Sequence, residues 1–98
     1  MKAYKLRVPD SVADLIRNMH PQLKRKIRFS LRMILDKPDE GRALKSELSG
    51  LRSYRVSRFR IIYRIRQSTV EIVAIGPRTS IYRETLQLLR KESETGRR

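Results

Sequence analysis

Cysteine and tryptophan are absent from the 98-residue chain, and histidine occurs once. Without cysteine there are no disulfides, thiolate zinc sites, iron–sulfur clusters or cysteine nucleophiles, and the composition fits a reducing compartment. The single imidazole leaves almost no room for histidine-based metal chemistry. His20 stands just before Pro21 and reads as a helix-start residue rather than a catalytic one. Glycine and proline are sparse, four of each, and 39% of the residues are hydrophobic, so a collagen-like or fully disordered chain is excluded. Long apolar runs are missing too. Ile61-Ile62-Tyr63 and Ile72 to Ile75 are strand-sized, whereas a bilayer span needs about 20 residues, and Met1 to Asp10 lacks the apolar stretch of a signal peptide. The expectations are a cytoplasmic location, no membrane contact and no small-molecule cofactor or metal.

Acidic residues are the other shortage: 10 Asp plus Glu face 24 Lys plus Arg, a formal charge of +14. Such an excess points to a polyanionic partner, most often nucleic acid. Seventeen of the 24 cations are arginine. Guanidinium forks onto phosphate in pairs and stacks on bases, where lysine acts as a point charge, so RNA or phosphate contact moves forward.

The length suits one domain, expected over residues 1–91, with 92–98 as a polar tail. Residues 3 to 8 alternate, Tyr4, Leu6 and Val8 against Lys5 and Arg7, which predicts a half-buried strand ended by Pro9 and Asp10. With Ser11 as N-cap, Val12, Leu15, Ile16 and Met19 recur at helical spacing. Pro21 opens a second helix whose stripe is Leu23, Ile27, Leu31, Ile34 and Leu35, stopped by Pro38. The outer face of this hairpin carries Lys24, Arg25, Arg28 and Arg32, either a phosphate-contacting face or a solvated one.

Residues 38 to 52 read as an irregular connection, with Leu44, Leu48 and Leu51 tucked onto the core. Strands are then expected at Ser53 to Val56, Arg58 to Arg66 and Val70 to Ile75, with short turns that favour an antiparallel meander. After Gly76-Pro77 a last helix from about Ser80 to Lys91 would bury Ile81, Leu86 and Leu89. The fold class is therefore α+β, with helices on one face of a small sheet.

The informative segment is Tyr54 to Arg66, YRVSRFRIIYRIR. If Phe59, Ile61, Tyr63 and Ile65 face the helices, period two puts Arg58, Arg60, Arg64 and Arg66 on the opposite face. Arg55 joins them, with Tyr54 and Val56 inward, and Glu71 on the next strand eases their repulsion in part. Five arginines with so few acids nearby are costly without an anionic ligand. Gly76 to Tyr82, GPRTSIY, follows at a strand end and helix entry. From spacing alone, Arg78 and Tyr82 either converge on an anion there, or Thr79 or Ser80 caps the helix while Tyr82 packs.

The element order, the leucines of Ala43 to Leu51, Tyr54-Arg55-Val56 with Arg60-Ile61-Ile62-Tyr63, and the GPRTSIY ending resemble the RelE/ParE superfamily of type II toxin–antitoxin toxins. The G-x-R-x-x-I-Y pattern is closer to the RelE-like mRNA interferases than to the gyrase-poisoning ParE branch. The resemblance implies a toxin that enters the ribosomal A site and cuts mRNA without metal, the message's own 2′-hydroxyl attacking the adjacent phosphate. It also implies a cognate antitoxin as partner, besides mRNA and ribosomal RNA. Carried over by position, it puts Arg55 and Arg60 along the scissile phosphate. Arg78 would act at the transition state or leaving 5′-oxygen, and Tyr82 on a base. Arg58, Arg64, Arg66, Lys24 and Arg28 are the further candidates for RNA contact. Ser57 stands where several family members carry a lysine, so the sequence offers electrostatic stabilisers and no evident general base. Two other readings stay open: a ParE-like gyrase inhibitor without nuclease activity, and a basic module that binds RNA or ribosomes without cutting.

Overall fold

The computed structural model describes residues 3–95 of the chain. Strand β1 (Lys5–Arg7) leads into helices α1 (Asp10–Arg17) and α2 (Pro21–Asp36). A short strand β2 (Arg42–Ala43) lies between two single 3-10 turns, and β3 (Arg52–Val56), β4 (Phe59–Arg66) and β5 (Thr69–Pro77) precede helix α3 (Ile81–Thr95). The sheet order is β1-β5-β4-β3-β2; β1 runs parallel to β5 and every other pairing is antiparallel.

The α+β class, the element order and the meander agree with the sequence reading, while several boundaries differ. β1 holds three residues rather than six. α1 starts at Asp10, following Pro9, and no side chain caps it, so Ser11 lies inside its first turn rather than at its cap. α2 begins as expected: Pro21 occupies its first turn, and His20 Nδ1 accepts the Gln22 amide at 3.2 Å. α3 runs on to Thr95, into the segment expected as a tail, whose last residues, 96–98, lie outside the described residues.

Both hairpins of the meander use two-residue loops, between Val56 and Phe59 and between Arg66 and Thr69. Such loops need a positive φ at the first position, which Ser57 (57°) and Gln67 (54°) supply without glycine. Across β4 and β5 the pairing slips by one residue. Ile62 faces Ala74 but Tyr63 faces Ile72, which leaves Val73 as a bulge.

Two apolar layers sandwich the sheet. α1 and α2 lay Val12, Ile16, Ile27, Leu31 and Ile34 against Val56, Ile61, Tyr63, Val70, Ile72 and Ile75. Leu51, Ile62, Ala74 and Ile81 form a second cluster, with Leu44, Leu48, Tyr82 and Leu89 packed on it. Because Ile61 and Ile62 are successive strand residues, the two clusters occupy opposite faces. This corrects the expectation of helices on one face only: α3 covers part of the face expected to be open. Gly76 makes that approach possible. A Cβ there would lie 2.8 Å from Ile81 Cδ1, so a larger residue would force the buried Ile81 side chain to shift. Of the residues expected to anchor α3, Ile81 is fully buried, whereas Leu86 and Leu89 are half-buried.

Tyr63 fastens the segment leading to β2. Its buried hydroxyl donates to the Pro38 carbonyl at 2.6 Å and accepts from the Gly41 amide at 3.0 Å. Burial pushes the Tyr63 phenol above its ordinary pKa, against the lowering effect of the Gly41 amide. Arg52 closes the same segment by donating to the Gly41 and Asp39 carbonyls.

Candidate phosphate-binding site

Arg55 on β3 and Arg60 on β4 are direct cross-strand partners. Like charges directly opposite one another destabilise a sheet, so this pair signals a use other than stability. Next to it, the tight turn Ser57-Arg58 is tied to the residues after β5, because the Arg78 amide donates to the Arg58 carbonyl at 2.9 Å. The tie holds the two loops side by side. Between them lies an open cavity of about 430 Å³ lined by Arg55, Ser57, Arg58, Pro77, Arg78 and Thr79. Its walls contain no acid.

The ion pairs of the described residues link Arg7 and Arg64 to Glu71, Arg17 to Asp14, Arg52 to Asp39 and Arg90 to Glu47. Among the described residues, Arg55, Arg58, Arg60 and Arg78 have no carboxylate within that reach. Four guanidiniums at one end of the sheet are thus left with their charge unmatched, which is the electrostatic character of an anion site.

Tyr82 reaches the site from the first turn of α3. Its hydroxyl donates to Ser53 Oγ at 3.1 Å, and Arg60 Nη1 donates to the same oxygen at 3.2 Å. The Tyr82 ring also walls a second open cavity of about 470 Å³ with Arg42, Ala43, Leu44, Lys45 and Leu48. One aromatic face, two leucines and two cations on one concavity suit a stacked base beside a phosphate.

The structure therefore brings Arg55, Arg58 and Arg78 around one cavity, with Arg60 and Tyr82 meeting beside it. It separates the others. Arg64 is held by Glu71 at 2.6 Å, and Arg66 is exposed beyond it at the far end of β4. The Arg64 hydrogen bond, more than the other arginines around it, holds the Glu71 carboxyl below the usual carboxylate range, against the effect of burial. Lys24 and Arg28 belong to α2, which packs on the opposite face, and do not join the cluster. The single dense arginine face expected from period two is thus a cluster at the hairpin end, with Arg64 held by Glu71 and Arg66 exposed at the other.

Sequence reasoning missed Ser53, Arg42 and Lys45. Ser53 had a signal: it shares parity with Arg55, so it had to point to the arginine side. Arg42 and Lys45 sat in a stretch with no usable period.

Residues 4–82 match the family model described as the ParE toxin of type II toxin–antitoxin systems, parDE. Among solved structures, the toxin–antitoxin complex RelBE2 of Mycobacterium tuberculosis is similar at 26% identity and TM-score 0.69, over 80% of this chain and 94% of that one. A mutant of the Escherichia coli toxin RelE in the free state superposes with TM-score 0.71 at 18% identity, over 92% and 97%. The RelE–RelB complex of Pyrococcus horikoshii gives TM-score 0.64 at 18% identity, over 78% and 96%. No curated protein matches the chain by sequence. No helix among the described residues is long and apolar enough to cross a membrane.

Proposed function

Because the chain belongs to the ParE toxin family of type II toxin–antitoxin systems, we propose that it is a toxin that works as an endoribonuclease, cutting mRNA in the ribosomal A site. The observation that carries this reading is the set of four guanidiniums, Arg55, Arg58, Arg60 and Arg78, with no ion pair to a carboxylate among the described residues and gathered at two tied loops. In the chemistry implied by the RelE-like resemblance, the 2′-hydroxyl oxygen bonds to the adjacent phosphorus while the bond from phosphorus to the 5′-oxygen breaks. Negative charge gathers on the phosphoryl oxygens and on the departing 5′-oxygen. Fixed guanidinium donors at those positions lower the barrier because they are oriented before the charge appears.

Arg55 and Arg60 are assigned to the non-bridging oxygens, and Arg78 to the transition state or leaving oxygen. Tyr82 is assigned, through its ring, to the neighbouring base. The cavity lining holds no carboxylate or imidazole to take the 2′-hydroxyl proton, so that proton passes to water or to the ribosomal complex. The cognate antitoxin is expected to silence the site with an acidic or amphipathic segment that covers the arginines or displaces α3.

The test is primer extension on mRNA in purified ribosomes with an occupied P site and an empty A site, with free RNA as control. Wild type should cut in the A site, and Arg78→Ala should lose about 100-fold or more, the usual effect of removing one preorganised donor. A folded, growth-arresting protein that cuts nothing would overturn the reading. The family match itself favours a second reading, a ParE-like gyrase inhibitor, whose signature would be blocked supercoiling that survives Arg78→Ala.

A further inference from the structure

Ser53 is 2% exposed, on an interior strand position otherwise suited to an apolar residue. Three elements meet at its oxygen: Ser53 from β3, Arg60 from β4 and Tyr82 from α3, the last 29 residues away in sequence. Both contacts are donors to Oγ. The side chain of Arg60 has no other hydrogen bond or ion pair among the described residues, and neither has that of Tyr82.

We propose that Ser53 is a positioning residue of the phosphate site, its hydroxyl oxygen holding the Arg60 guanidinium and the Tyr82 hydroxyl at one point, from which both turn to a phosphate oxygen of the RNA. The inference rests on the ribonuclease reading for the identity of the ligand. It adds a residue to which the family resemblance gives no role.

The chemistry explains why serine fits here. A carboxylate would neutralise Arg60 and repel the phosphate, whereas alanine would leave two donors without a common acceptor. A neutral hydroxyl orients the donors, yet accepts more weakly than an ionised phosphate oxygen, since charge-assisted hydrogen bonds are roughly twice as strong as neutral ones. The exchange is therefore downhill when the anion arrives. The place of Ser53 opposite Ile62 ties the arrangement to the second apolar cluster.

The experiment compares wild type, Ser53→Ala, Ser53→Thr, Tyr82→Phe and the double variant Ser53→Ala/Tyr82→Phe in the programmed-ribosome assay, with thermal unfolding of each. Ser53→Ala should cut about tenfold more slowly at saturating ribosome with little change in KM, and Ser53→Thr, which keeps the hydroxyl, should recover most of the loss. Because Ser53 acts partly through Tyr82, the double variant should be slower than wild type by much less than the product of the two losses. Ser53→Ala cutting within twofold of wild type, or losses that multiply fully, would overturn the proposal. If wild type cuts nothing, the ribonuclease reading fails and inorganic phosphate decides the positioning role. Followed through the guanidinium nitrogen resonances of Arg60, phosphate should bind several-fold more weakly to Ser53→Ala, and equal binding would overturn the role.

Discussion

The partition of the arginines predicts how salt should weaken RNA binding. For single-stranded nucleic acid the logarithm of the binding constant falls against the logarithm of salt with a slope of about −0.7 per phosphate neutralised. With the four guanidiniums gathered at the hairpin end in contact with the RNA, the slope should be about −2.8, so affinity drops roughly 50-fold between 50 and 200 mM salt. Arg58→Ala removes one of the four and should bring the slope to about −2.1, an 18-fold drop over the same range. Arg64→Ala should leave the slope nearly unchanged, because Arg64 is held by Glu71 at 2.6 Å, away from the cluster. Fluorescence anisotropy with a 2′-O-methyl oligonucleotide, which cannot be cleaved, measures both slopes. Equal reduction by Arg58→Ala and Arg64→Ala would refute the reasoning and restore the whole sheet face as one binding surface. A slope near zero would refute phosphate contact altogether.

Tyr63→Phe should cost about 2 to 3 kcal/mol in urea denaturation, because it removes two buried hydrogen bonds and leaves the Gly41 amide without its acceptor. A loss below about 0.5 kcal/mol would mean that the 38–43 segment finds new partners. The depressed pKa of Glu71 sets a pH window: its folded value lies below the unfolded one, so its contribution is complete above the ordinary carboxylate range and disappears as pH falls through the depressed value. The thermal midpoints of wild type and Glu71→Gln should therefore draw together as pH falls below the ordinary carboxylate range. A gap that does not narrow with falling pH would show that Glu71 acts through packing.

Where a single element carried a clean period, the fold was legible. The α2 stripe of Leu23, Ile27, Leu31, Ile34 and Leu35 and the alternation of β3 and β4 placed those elements correctly. Ile61-Ile62-Tyr63 was the sign that parity alone could not carry. Three consecutive buried residues mean that both faces of the sheet are covered there, and α3 is what covers the second. The site was legible in its parts, because parity put Arg55 and Arg60 on one side. Its assembly was not, since the tie between Arg78 and Arg58 is a backbone bond, to which the side chains give no clue. β2, at two residues, was too short to show any period.

The arrangement of charge also says how the rate should respond to pH. A guanidinium does not release its proton in proteins, and the cavity around Arg55 and Arg78 is completed by Ser57, Arg58, Pro77 and Thr79. The acids and the imidazole lie elsewhere. His20 caps α2 on the far side of the sheet, and Glu71 is committed to Arg64 and Arg7. Glu84, in the first turn of α3, leans over Gly76 and lines a trough along β5 with Leu15 and Leu88 rather than either cavity of the site. The cleavage rate on programmed ribosomes should therefore show no protein group titrating between about pH 5 and 8, where a carboxylate or imidazole base would appear. Glu84→Gln should leave both rate and profile unchanged. A bell-shaped profile abolished by Glu84→Gln would make Glu84 the missing base and require α3 to turn toward the RNA in the complex; a bell that survives it would place the titrating group on the ribosome.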